Sequence, residues 1–219
     1  MKLVSKIRTF RHASATHGTF RAIGETMRWM WCVISRQPYN VRFQIEREWM
    51  SMLASRENLE GAEIGVRYGN NAVFLIDALD IAKLYLIDPY DAYEEYQEDW
   101  NNQMMIEAES TAKENLGDFD FVKFIKKYSE DAVPDLPENL DFVYIDGNHE
   151  YEYVTSDIAN YWPIVKDGGI LAGHDYNQSW PGVVKAVDEF VNQQGLNVTT
   201  DLWGDWFVQK PVGKITKPE

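Results

Sequence analysis

Cysteine is nearly absent from this chain: Cys32 is the only one in 219 residues, which rules out an internal disulfide and a cysteine-rich zinc site. No apolar run reaches the length that crosses a bilayer, and no charged-then-apolar leader ends in a small-residue cleavage site. These absences lead us to expect a soluble protein in a reducing, cytoplasmic setting. Positive charge is also scarce, with 21 Lys and Arg against 35 Asp and Glu and a net charge of −14. The imbalance is uneven. Residues 1–58 hold ten basic and four acidic side chains, net +6, which leaves residues 59–219 at −20. So acidic a body repels nucleic-acid phosphate, and no nucleic-acid partner is expected.

What the chain does have is apolar and aromatic content, 45% and 14%, enough to bury one substantial core. The basic segment 1–58 reads as a helical extension. Within it "RFQIEREWMSMLASR" (42–56) sets Phe43, Arg47, Met50 and Ala54 at helical spacing, and "FRAIGETMRWMWCVI" (20–34) is also compatible with a helix. Helices capping the main sheet, with arginines lying over it, are the plainest account. Contact with a membrane surface through Trp29 and Trp31 is the alternative, and the acid-free first 24 residues also fit an organelle transit peptide.

From residue 59 to 212 strands alternate with helices, and 213–219 read as a tail. Strands are expected at 61–66, 83–88, 121–127, 140–146 and 169–174. Helices are expected at 71–81, 92–116, 152–166 and 181–195, the last opened by Pro181 and closed by Gly195. Strands separated by helices pair in parallel through right-handed crossovers, so an open α/β sheet covered on both faces follows. The ending "LNVTTDLWGDWFVQKP" breaks the rhythm with a hairpin, which demands an antiparallel strand in one edge region and brings the expected total to seven.

Two strands finish in titratable groups. "DFVYIDGNHEY" (141–151) delivers Asp146, His149 and Tyr151, and "GGILAGHDY" (168–176) delivers His174, Asp175 and Tyr176. Ligands of open α/β sheets bind beyond the carboxyl ends of the strands, where strand order reverses. The same edge receives the loop "EIGVRYGNNA" (63–72), whose Gly65 and Gly69 permit a tight turn, and Asp88, a strand-terminal acid able to take a ribose diol. This loop lacks the middle glycine that lets a pyrophosphate approach, and it opens with Glu63. A carboxylate there opposes pyrophosphate and suits a cofactor carrying an ammonium and a sulfonium, which S-adenosylmethionine does.

E-x-G-x-x-x-G at 63–69, the strand "LYLID", the run "FDFVYIDGNHEYEYVTSDI", "GGILAGHDY" and the terminal hairpin resemble a class I S-adenosylmethionine-dependent methyltransferase. The resemblance is narrower still to the subgroup reading IDG-x-H-x-Y and then GG-x-x-x-x-H-D-Y, similar to cephalosporin-hydroxylase-like and macrolide-sugar O-methyltransferases. It covers roughly residues 60–210 and implies a Rossmann-like α/β fold. It also implies that Glu63, Gly65, Tyr68 and Gly69 line the methionine part of the cofactor, Asp88 the ribose, Tyr128 and Ser129 the adenine, and Asp146 the methyl-transfer centre.

In some relatives three acids after the fourth and fifth strands hold a divalent metal. The matching positions here are Asp146, His174 and Asp175, a set able to take Mg²⁺ poorly and Mn²⁺, Fe²⁺ or Zn²⁺ better. His149 or His174 would otherwise serve as a metal-free base. Tyr90, Tyr93, Trp180 and Trp203 suit stacking on a sugar or another hydroxylated small molecule as methyl acceptor. The alternatives are a noncatalytic nucleoside-cofactor-binding protein and an NAD-dependent oxidoreductase of similar fold.

Overall fold

The computed structural model describes residues 47–92, 101–201 and 204–213, and one compact unit runs from Glu46 to Glu219. The expected helix at 20–34, together with Phe43, Tyr93 and Trp203, lies outside the described residues. No described helix is long and apolar enough to cross a membrane.

Helix α1 (Glu48–Leu53) precedes strand β1 (Leu59–Ile64). Then follow α2 (Asn70–Ala78), β2 (Ile81–Ile87), α3 (Asn102–Leu116), β3 (Val122–Ile125), the single turn α4 (Ser129–Ala132), β4 (Leu140–Ile145), α5 (Tyr151–Tyr161), β5 (Val165–Gly173), α6 (Pro181–Gln194), β6 (Thr199–Thr200) and β7 (Trp206–Gln209). The seven strands lie in the order β3-β2-β1-β4-β5-β7-β6. The first five in that row are parallel, and β7 runs antiparallel to both β5 and β6. Strand order therefore reverses between β1 and β4.

Period-two alternation along β4 sorts the core. Phe142 and Tyr144 point to one face, where they meet Trp49, Leu53, Leu75 and Leu116 from α1, α2 and α3. Val143 and Ile145 point to the other, against Ile158, Val183 and Val187 from α5 and α6. All six β4 residues are buried, and all but Asp141 are apolar or aromatic, as a strand covered on both faces requires. Trp49 sits 5.7 Å from both Phe142 and Tyr144 and is fully buried, so α1 is a structural part of the sheet's first face.

Several boundaries differ from expectation for local reasons. Helix α5 stops at Tyr161 and passes into a 3-10 turn (Trp162–Ile164) at Pro163, which has no N–H to continue the ladder; β5 then starts at Val165, four residues before the expected 169. Helix α3 begins at Asn102, where the Asn101 side chain accepts from Met104 N at 3.1 Å and caps it. Of the expected 42–56, residues 42–46 lie outside the described residues, and helix α1 covers 48–53, beginning after Arg47, which is extended at its N-cap.

Candidate active site

Parallel strands put their carboxyl ends side by side, and here the ladder continues one residue beyond each strand. Gly65 N donates to Ile87 O (2.9 Å), Asp88 N to Ile125 O (3.2 Å), Asp146 N to Ile64 O (2.8 Å) and His174 N to Ile145 O (3.0 Å). The polar residues that end the strands are thus anchored by their backbones. Gly65, Asp88, Asp146 and His174 share one edge of the sheet, at the reversal point, as the sequence implied.

The glycine loop works through close packing within the protein. Gly65 is left-handed (φ +84), and a Cβ on it would lie 2.0 Å from Asp146 O, so the β1 loop can sit against the end of β4 only without a side chain. Gly69 (φ +76) caps α2, and a Cβ there would meet Leu116 Cδ1 of α3 at 2.6 Å. Asp88 braces the loop from below: its two oxygens accept from Arg67 N at 2.8 Å and Tyr90 N at 2.7 Å. Burial pushes that carboxyl up, against these backbone donors, which favour its charged form. Tyr68 packs partly buried against the first core.

Glu63 is fully buried on β1. Burial pushes it up to about 8, with Asn71 pulling down and Asp146 pushing further up. Oε1 accepts from Asn71 Nδ2 at 3.1 Å, whereas Oε2 has no partner. An unpartnered carboxylate oxygen at full burial fits a cationic ligand group, the ammonium of S-adenosylmethionine among them. The Ser129 hydroxyl is drawn toward Asp157 of α5, and Tyr128 donates to Asp91 at 3.0 Å, so the ends of β2 and β3 are linked beside the loop.

Four titratable groups from the ends of β4 and β5 converge. His149 Nε2 lies 2.8 Å from Asp175 Oδ2 and 3.8 Å from Asp146 Oδ1. His174 Nδ1 lies 3.1 Å from Asp175 Oδ2 and 3.9 Å from Asp146 Oδ1, and its Nε2 stands 3.9 Å from Asp205 Oδ1. Burial lowers the His149 imidazole, but Asp146 and Asp175 outweigh it and hold it at about 9. The same balance raises His174, with Asp175 and Asp146 prevailing over burial. Burial pushes Asp175 up, yet the two histidines beside it hold it well below the usual carboxylate range. Asp175 takes a left-handed backbone (φ +63), a conformation that aspartate tolerates better than most residues. Trp180 stacks on His149, rings 4.3 Å apart, and walls the cluster. Tyr151 and Tyr176 donate to Glu189 and Asp188 of α6; burial and the Asp188 contact hold Tyr176 at about 12, so both behave as walls.

Among the described residues, the His, Cys, Asp and Glu side chains able to meet a metal together are Asp146, His149 and Asp175, whose ligand atoms lie within 4.8 Å of one another. That trio differs from the expected one in its histidine. The reason is geometric, since α5 starts at Tyr151 and returns His149 over the β4 edge, while His174 leans toward Asp205.

One contact escaped the sequence reading, which placed Arg47 only on a helix over the sheet and gave Asp205 no role. Asp205, fully buried in the β6–β7 turn, accepts from Tyr144 Oη (2.9 Å) and Trp49 Nε1 (3.4 Å) and pairs with Arg47 Nε (3.0 Å). Arg47 itself lies 158 positions earlier, a separation no local pattern spans.

A seven-stranded sheet in this order, with a glycine loop, a buried acid and a strand-end acid around its reversal point, has the Rossmann-like methyltransferase fold. The chain belongs to the methyltransferase-domain family, which matches residues 62–176. Its fold is similar to that of the O-methyltransferase NovP (TM-score 0.54, 20% identity, 69% of this chain and 72% of that one). It is also similar to a Streptococcus mutans protein solved in complex with SAH (TM-score 0.53, 18% identity, 74% and 94%). An uncharacterized protein of Acanthamoeba polyphaga mimivirus is 29% identical over 147 residues, 62% of this chain; the chain spans 61% of that relative's length.

Proposed function

We propose that this protein moves a methyl group from S-adenosylmethionine to a hydroxyl of a small acceptor, a sugar or similar hydroxylated metabolite, using His149 as the proton acceptor. The observation that carries the reading is the His149–Asp175 contact at 2.8 Å beside Asp146, next to the buried and half-satisfied Glu63. Glu63 would receive the cofactor's ammonium and Asp88 its ribose, with Gly65, Tyr68, Gly69 and Ser129 around them. When bound, the cofactor supplies an electrophilic methyl carbon. The chain's own part is to orient the acceptor, exclude water and take a proton. Asp175 fixes the imidazole through one ring nitrogen, and Trp180 covers its face. His149 starts protonated at neutral pH and becomes a base as pH rises toward about 9.

A second reading rests on the convergence of Asp146, His149 and Asp175. Those donors would hold a divalent ion such as Mn²⁺, Mg²⁺ or Zn²⁺, which would lower the acceptor hydroxyl's pKa, with His174 beside them as an auxiliary ligand or base. Imidazole must be neutral to bind metal, so affinity would fall with falling pH. Methyl transfer from labelled cofactor across a panel of glycosides, before and after exhaustive chelation, tests both readings. Undiminished transfer without metal supports the base; loss with recovery on adding Mn²⁺ supports the metal. No transfer to any hydroxylated acceptor, despite cofactor binding, would refute the assigned acceptor class.

A further inference from the structure

The segment from Asp175 to Gly182 meets His149 at three places. At the ring edge, Asp175 Oδ2 lies 2.8 Å from Nε2. Over the ring face, Trp180 stacks with centroids 4.3 Å apart and planes 27° apart. At the backbone stands Gly182, the second residue of α6. A Cβ on it would lie 2.7 Å from His149 O, 2.8 Å from Tyr151 N and 3.3 Å from Glu150 C, all backbone atoms of the loop that carries the imidazole. Gly182 is not among the left-handed glycines, so its helical backbone accepts any residue, and alanine is the better helix former. What excludes a side chain there is the space taken by the His149 loop. Asn177 joins the ends of the segment. Its N and Nδ2 donate to Asp175 O (2.8 Å) and Asp175 Oδ1 (3.4 Å), while its O accepts from Trp180 N at 3.1 Å. The acid at the ring edge and the indole on the ring face are therefore held by one side chain.

Neither helix beside that loop is free to retreat. Val183 and Val187 of α6 and Val154 and Ile158 of α5 share one core and are at most 3% exposed, so forcing α6 away from α5 would open it. The part that yields is the connection between β4 and α5, which holds His149. We propose that Gly182 is a positioning residue for His149: the bare first turn of α6 admits the His149 loop, and with Asn177 and Trp180 it fixes the imidazole against Asp175. This rests on the reading that His149 takes part in methyl transfer. It holds whether the imidazole serves as base or as metal ligand, since both roles need it within reach of Asp146 and Asp175. A side chain at position 182 thus acts on the reaction only by moving His149, and a shift of about 1 Å is enough to slow a reaction by roughly 10²-fold.

Three measurements on the full chain test this: turnover with labelled S-adenosylmethionine, calorimetric titration with S-adenosylhomocysteine, and the Cε1–H proton resonance of His149, assigned by its loss in His149→Ala. The stacked indole shifts that resonance upfield whether or not the protein turns over. Gly182→Ala should lower kcat by about 10- to 100-fold, leave S-adenosylhomocysteine affinity within about twofold, and move the His149 resonance. Gly195→Ala is the control. It strains the left-handed C-cap of the same helix (φ +66) where a Cβ meets nothing within 4 Å, so it should lower the melting temperature and leave both kcat and the resonance as they are. Unchanged kcat or an unmoved resonance in Gly182→Ala, or an equal loss of kcat in Gly195→Ala, would overturn the proposal. If Gly182→Ala does not fold, Trp180 decides: Trp180→Leu should lower kcat by on the order of tenfold and abolish the upfield shift, and Trp180→Phe should restore much of both. Wild-type kcat in Trp180→Leu would then overturn the positioning role. A wild-type chain that binds S-adenosylhomocysteine but methylates no hydroxylated acceptor would instead refute the reading beneath, leaving the His149 resonance in Gly182→Ala to decide the placement.

Discussion

At Glu63 and His149 single side chains set how the protein responds to pH. Glu63 has a folded-state value of about 8, well above the ordinary carboxyl, because burial opposes its charge. An acid raised in this way favours the folded state only while protonated, so its contribution is complete below about 4.5 and is lost as pH climbs toward about 8. Glu63→Gln should therefore flatten the decline in melting temperature across that window and raise it at pH 8, while weakening cofactor binding. Thermal melts from pH 4 to 9 check the first part, and an unchanged slope would refute it. His149, held at about 9 by Asp146 and Asp175 against burial, stabilises the fold fully below about 6.5 and loses that contribution as pH rises through about 9. In the metal-free reading, turnover should rise with pH to a plateau near that value, and His149→Ala should erase the rising limb and reduce the plateau by roughly 10²- to 10⁴-fold. A pH profile of kcat with and without chelator is the measurement.

Elements carry the site by touching one another closely. The loop between β1 and α2 reaches the end of β4 only because Gly65 has no side chain; an added Cβ would strike the Asp146 carbonyl, which belongs to backbone and cannot yield. Gly69 meets instead the tip of Leu116, a flexible side chain. Both positions are left-handed, so alanine at either is strained by about 1–2 kcal/mol before any overlap is counted. Gly65→Ala should therefore destabilise by more than about 3 kcal/mol and disturb the Asp146 edge, whereas Gly69→Ala should cost about 1–3 kcal/mol and leave that edge intact. Urea melts give the two numbers, and the reverse ranking would contradict the packing argument. Helix α1 is a second case. Trp49, Met50 and Leu53 bury almost completely against β4, and Arg47 at the helix start reaches Asp205 in the β6–β7 turn, so a six-residue helix ties together both ends of the described chain.

For the whole molecule, that tie predicts where the chain can be shortened. A protein beginning at Glu46 keeps the compact unit and should retain a cooperative thermal transition. Removing residues 1–58 takes out Trp49, Met50 and Leu53, at roughly 1.5–3 kcal/mol each, a loss comparable to the total stability of an ordinary domain. That shorter chain should fail to fold, and a normal melt from it would refute α1's structural role. The sequence by itself determined the alternating α/β order, the glycine loop and the acids and histidines at the strand ends. These are local facts: apolar period, turn chemistry and spacing along one stretch of chain are enough to specify them. It also placed Asp146, His149, His174 and Asp175 on one edge, since strands that pair in parallel must deliver their ends together. Only the tertiary structure brings the ligand atoms of Asp146, His149 and Asp175 within 4.8 Å of one another, because that convergence depends on how the start of α5 turns back over β4. Only it brought Arg47 and Asp205 to the same place and left Glu63 Oε2 and Arg47 Nη1 unpartnered. Partners 158 positions apart leave no periodic trace, and whether a buried atom is satisfied is a property of its surroundings in space, which no residue carries in its own neighbourhood along the chain.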